Sequence, residues 1–161
     1  MDSISEMNPF DLGPGEGTVV EGPAGGPLAF KVRSSETDGA LTVFENRVPP
    51  GPGTPLHVHH NEDEAWYILE GEFRFRLGEE ISTRSAGSFV FIPRTTAHCW
   101  QNVGEEPARV LVIFTPSGIE RFFDEFAKLP AGPPSLETLN QLGQRFAMDV
   151  LGPPLGVSHP L

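Results

Sequence analysis

Four of the chain's five histidines fall in two short segments. His57, His59 and His60 lie in GPGTPLHVHHNEDEAWYILEG, Gly51–Gly71, and His98 lies in TTAHCWQN; His159 stands apart near the C-terminus. In an extended strand, residues two apart project to the same face. His57 and His59 therefore point together, and His60 points away. Glu64 has the opposite parity to His59, so it reaches the same place only across a turn, which NEDE supplies. Two imidazoles on one face and a carboxylate just after them can give three ligands to one transition metal, and His98, from a separate strand, would close the site. Taken alone, an HxH in a polar stretch is most often a pair of surface histidines.

The surrounding elements have to be short. Seventeen prolines and eighteen glycines in 161 residues punctuate the chain, which suits a turn-rich β protein. Residues 1–27, rich in glycine, proline and acids, read as an extended arm. Strands are expected over Leu28–Val32, Leu41–Val48, Leu56–His60, Ala65–Glu70, Phe73–Leu77, Ile81–Arg84, Ser88–Ile92, Ala97–Val103 and Ala108–Thr115. The apolar run Ser88–Ile92 suggests a central strand. Proline cannot donate a ladder hydrogen bond, so Pro49–Pro55 reads as a rigid loop leading to the histidines. Ile119, Phe122, Phe123 and Phe126 then recur at i, i+3, i+4 and i+7, the stripe of an amphipathic helix. A second helix is expected over Ser135–Met148, capped by Ser135, and the tail Gly152–Leu161 reads as loop. Many strands followed by two helices, without βαβ alternation, imply a β-barrel or sandwich with helical appendages.

The two histidine segments resemble the two sequence motifs of the cupin superfamily. The first runs Gly51, five residues, His57-Val58-His59, four residues, Glu64, six residues, Gly71. The second runs Gly87, five residues, Pro93-Arg94-Thr95, two residues, His98, three residues, Asn102. Thr95 departs from the pattern, which has glycine there. The resemblance covers Gly51–Asn102 and implies an all-β fold: a double-stranded β-helix, or jelly-roll barrel, over residues 28–115, carrying two C-terminal α-helices within 116–161. It also implies that His57, His59, Glu64 and His98 bind one divalent transition metal among iron, manganese, nickel, cobalt, copper and zinc. GIERFFDEF and RFAMDVLGPPL further resemble segments of single-domain bacterial cupins related to quercetin 2,3-dioxygenases. That likeness implies a metal-dependent dioxygenase acting on a small aromatic or enolisable, flavonol- or diketone-like compound, with Glu64 as the base. A non-catalytic ligand- or metal-binding cupin, and a metal-dependent isomerase or lyase, are the alternatives, since fold and ligand set do not fix a reaction.

Phe44, Trp100, Phe122 and Phe126 are the candidates for a substrate wall, with ordinary packing as the competing assignment. Phe73, Phe75 and Phe91 read as core. Cys99, of opposite parity to His98, reads as a buried apolar residue, Glu62 and Asp63 as a solvated turn, Asn102 as the brace of a hairpin end, and His159 as tail. A net charge of −11 and a pI near 4.8 disfavour nucleic acid and anionic membranes as partners. One cysteine and the absence of a basic leader or long apolar run lead to the expectation of a cytoplasmic protein. Exposed strand edges lead to the expectation of a homodimer.

Overall fold

A computed structural model of the chain describes residues 7–161. Two antiparallel sheets face each other as a double-stranded β-helix. The first has the order β1 (Thr18–Glu21), β2 (Pro27–Val32), β3 (Thr42–Val48), β10 (Ala108–Thr115), β5 (Asp63–Glu70), β8 (Phe89–Ile92). The second has the order β11 (Met148–Pro154), β4 (Pro55–His59), β9 (His98–Asn102), β6 (Glu72–Leu77), β7 (Glu80–Ser85). Three short helices follow the barrel strands: α1 (Glu120–Phe126), α2 (Leu136–Gln144) and α3 (Leu155–Ser158).

The interior is organised in rows, because the period-2 alternation of paired strands brings inward side chains into register. In the first sheet Thr42, Phe114, Glu64 and Ile92 form one row, and Phe44, Val112, Trp66 and Val90 the next. Leu28, Asn46, Val110 and Ile68 form a third. All twelve are buried. Across from them Phe73 and Phe75 stack with Trp66 and Trp100 in an edge-to-face cluster, with centroids 4.9 to 6.1 Å apart for the tryptophan contacts.

Several expectations need correction. Phe89–Ile92 is an edge strand, not a central one: Val90 and Ile92 point inward, whereas Phe89 and Phe91 are 62% and 55% exposed. A run of uniformly apolar residues hides its own alternation, so its two faces could not be told apart. Within the segment read as an arm, Thr18–Glu21 is a strand paired with β2; residues 1–6 of that arm lie outside the described residues. The second helix stops at Gln144, and Met148 opens β11, which pairs along β4. The tail is thus strand and helix instead of loop. Ala147, at φ 54°, makes the corner between α2 and β11.

Helix α1 is clamped to the barrel by charge. Glu120, 3% exposed, accepts from the backbone N–H groups of Ser34 (2.8 Å) and Gly118 (2.8 Å) and from the hydroxyls of Ser34 and Thr42. Asp124, one turn on, takes a two-pronged ion pair from Arg33. Burial alone would raise the Glu120 carboxyl, but the donors from Ser34 and Thr42 prevail and hold it at about 2. A group held below its ordinary value contributes stability that is complete above about pH 4.5 and is lost as the pH falls toward 2. Glu120→Ala should lower the unfolding free energy by at least about 2 kcal/mol, because it orphans several buried donors. It should also flatten the loss of stability between pH 4.5 and 2; urea unfolding across that range measures both.

Candidate metal centre

Strand β4 carries His57 and His59 on one face, and β9 brings His98 directly opposite His57. One ring nitrogen from each of the three lies within 4.8 Å of the others. The ring centroids are 4.3 Å apart for His57–His98, 5.0 Å for His57–His59 and 5.4 Å for His59–His98. Glu64 arrives from the opposite sheet as the second residue of β5, after a turn at His60–Glu62. Its Oε2 stands 3.0 Å from His98 Nε2 and 3.6 Å from His59 Nε2. Of the four residues singled out in the sequence, the three histidines therefore group together and Glu64 stands beside two of them, on three strands of two sheets.

The tautomers follow from the outer partners. His57 Nδ1 lies 2.7 Å from the carbonyl of Pro55, and His98 Nδ1 2.9 Å from that of Thr96. A carbonyl only accepts, so Nδ1 carries the proton in both rings. For His57 this leaves Nε2 a free lone pair directed inward, the form a metal requires, whereas His98 Nε2 faces Glu64 Oε2 at 3.0 Å as a donor, so that ring carries both protons and has to give up the one on Nε2 to ligate an ion. Burial, followed by the charges of His98 and His59, holds His57 well below its ordinary value, and burial holds His59 down at about 4. His98 is raised despite its burial, because Glu64 bonds its Nε2. Burial pushes the Glu64 carboxyl up, yet His98, His59 and Trp66 outweigh it and bring it to about 2. Trp66 Nε1–H donates to Glu64 Oε1 at 2.6 Å. The three imidazoles, one nitrogen of each within 4.8 Å of the others, fit a divalent transition ion as a donor set, and the ionised Glu64 carboxylate stands beside two of them, His59 and His98.

A pocket opens onto these groups, with about 680 Å³ of empty space including its solvent-open mouth. Phe44, Trp66, Val112 and Phe114 wall it from the first sheet, and Trp100 from the second. Phe122, Phe123 and Leu139 of the helices and Met148 and Val150 of β11 close one side. Phe44, Trp100 and Phe122 line this pocket. Phe126 does not line the pocket: it lies one turn beyond Phe122 and stacks behind it at 6.2 Å, while Phe123 faces inward in its place. Trp66 and Phe114 were missed. Trp66 had a visible signal, since it shares strand parity with Glu64. Phe114, whose ring lies 5.2 Å from that of His59, had none beyond its place in an apolar strand.

The remaining candidates are placed as follows. Cys99 is buried, and burial pushes its thiol up to about 11. His60 is exposed and pairs with Asp149 of β11 at 2.8 Å. Asn102 braces the hairpin end, with Nδ2 donating to the carbonyls of Val48 and Glu106 and Oδ1 accepting from Gly104. His159 lies in the tail, its carbonyl accepting from Arg74. Asp63 is held by the Arg94 side chain and backbone N–H. Glu62, expected in solvent, is instead 6% exposed beside His59, and burial raises its carboxyl to about 7. Phe91 leaves the core altogether, as described above.

Comparison with known proteins agrees with this geometry. Residues 44–114 match the family model described as Cupin domain. Over 75 residues the chain is 36% identical to an uncharacterised protein of Methanocaldococcus jannaschii, covering 47% of this chain and 60% of that one. It is 26% identical over 87 residues to a mannose-1-phosphate guanylyltransferase of Salmonella typhimurium, covering 51% of this chain and 18% of that protein. Among solved structures, an RmlC-like cupin from Shewanella frigidimarina superposes with a TM-score of 0.58 at 18% identity, over 70% of this chain and 94% of that one. The chain thus spans 60% of the length of the first of these curated relatives and 18% of the second, less than two thirds of either, and the structural likeness is one of fold.

The site carries one local strain. Thr95, at the position where the second motif has glycine, has φ 67°, a left-handed conformation that is costly for a β-branched residue. Its N–H donates to the carbonyl of His59 at 2.7 Å. Thr95→Gly removes the strain and keeps this bond, so it should stabilise the fold by about 1 kcal/mol after the entropy cost of glycine. Denaturant unfolding checks the value, and a loss of stability would mean that the threonine side chain contributes more than its strain costs.

Proposed function

We propose that this cupin domain holds one divalent transition metal on His57, His59, His98 and Glu64 and works as a metal-dependent dioxygenase on a small aromatic or enolisable compound. The observation that carries this reading is a mostly apolar, aromatic-walled pocket whose floor is His57, His59 and Glu64, with His98 grouped beside the two histidines. A hydroxyl-rich sugar would find few hydrogen-bond partners on Phe44, Trp66, Trp100 and Phe122. A flat compound presenting one enol or phenol oxygen to the floor meets both requirements. When bound, the metal would polarise that oxygen as a Lewis acid and bring dioxygen chemistry within reach.

The chain's own residues divide the remaining work. Phe44, Trp100, Phe122 and Phe123 orient the ring system and exclude water. Glu64 is the group placed to take the substrate proton, at Oε2. It is a weak base while Trp66 and His98 donate to it, so this role requires that one of those contacts be released. The low value at Glu64 favours a second reading, a cupin that binds metal and ligand without turnover or acts as a metal-dependent isomerase or lyase. A homodimer belongs to the proposal too. Edge strand β8 offers Phe89 and Phe91, with Tyr67 beside them on β5, as an apolar face for the same strand of a second copy.

Metal analysis of protein from its native host, followed by oxygen uptake with a panel of flavonols and diketones, tests the main reading. Substrate-dependent uptake that is lost in His98→Ala is expected; tight binding without uptake under any of the candidate metals would shift the assignment to the second reading. Glu64→Gln should reduce turnover at least 100-fold with metal still bound if Glu64 is the base. Sedimentation should give a dimer, with Phe89→Lys plus Phe91→Lys sedimenting as a monomer.

A further inference from the structure

His59 differs from the other two inward histidines in having no backbone carbonyl at its outer nitrogen. Its Nδ1 is buried and finds no hydrogen-bond partner among the described residues. The same is true of Glu62 Oε2, and the two atoms face each other at 4.0 Å. Direct contact needs the atoms to close by only about 1 Å. Two buried polar atoms at this separation, neither with another partner among the described residues, are complementary if His59 Nδ1 carries the proton and the carboxylate accepts it.

A neutral His59 ring carries one proton, and two carboxylates compete for it. Glu64 Oε2 lies 3.6 Å from Nε2, but His98 already approaches the same oxygen at 3.0 Å. Glu62 Oε2 has no other partner. A proton on Nε2 would occupy the space between the three rings, whereas a proton on Nδ1 leaves the lone pair inward, as the carbonyl of Pro55 arranges for His57.

We propose that Glu62 is the positioning residue of His59: its Oε2 accepts the Nδ1–H and so sets the tautomer and the ring orientation in which Nε2 faces His57 and His98. This inference rests on the metal-binding reading for its purpose but not for its observation. Carboxylates hydrogen-bonded behind a ligating imidazole typically change metal affinity 10- to 100-fold when removed.

The test uses the full chain with and without Co(II) or Zn(II). In the metal-free protein, ¹⁵N-detected histidine spectra, with His59 assigned by its loss in His59→Gln, should show His59 as the Nδ1–H tautomer. Glu62→Gln keeps an accepting oxygen and should preserve that tautomer, with metal affinity within a few-fold of wild type. Glu62→Ala should populate the Nε2–H form and weaken Co(II) and Zn(II) binding 10- to 100-fold in competition with a chromophoric chelator. If Glu62→Ala fails to fold, Glu62→Gln and the wild-type tautomer still decide. A wild-type His59 protonated on Nε2, or a folded Glu62→Ala with unchanged tautomer and affinity, overturns the proposal. Wild-type protein that takes up neither metal defeats the metal reading instead, while the metal-free tautomer continues to judge Glu62.

Discussion

A carboxylate inside an apolar barrel is tolerable only with donors around it, and Glu64 sets that condition for the whole interior. It sits in a row with Thr42, Phe114 and Ile92, one row from Trp66. Its oxygens are met by the indole N–H of Trp66 and by His98. Removal of one donor would leave a buried charge poorly compensated, at a cost of several kcal/mol. The site is therefore not an addition to the core. Trp66 packs against Phe73, Phe75 and Trp100 with its ring and serves Glu64 with its nitrogen, so one residue joins the hydrophobic cluster to the charged centre.

The same dependence runs through the second sheet. Strand β4, which carries two of the histidines, meets β9 only at His57 and His98 but pairs with β11 along its length. Without β11 it would be a nearly free edge. The C-terminal segment is thus structural support for the site, and Met148 and Val150 of the same strand also wall the pocket.

What could be read in the sequence was what period and spacing encode. Parity alone put His57 and His59 together and turned His60 outward, and the Gly51–Gly71 and Gly87–Asn102 spacings matched the strands and turns that bring Glu64 and His98 to them. Residues whose role comes from tertiary pairing were silent. Phe91 looked like core because every neighbour in its strand is apolar, and only the edge position of that strand exposes it and Phe89. Met148–Pro154 contains glycine and two prolines, which argue against a strand, yet prolines are tolerated where β11 forms the sheet edge. Glu62 carried every mark of a solvated turn; it is buried because the turn folds back over His59, a contact no local pattern reports.

His59 gathers these threads. Its carbonyl is held by the strained backbone of Thr95, its strand position by Met148, and the next N–H, that of His60, by the carbonyl of Ala147. Its ring stands edge-on to Phe114, with Glu62 behind it. Two of these supports, at Thr95 and Ala147, come from non-glycine residues with positive φ. Such conformations persist only where the surrounding structure over-determines them. Their placement on either side of one histidine, one in the turn before β9 and one before β11, ties the end of β4 to both of its neighbours, so the backbone that carries His59 is fixed at a local conformational cost.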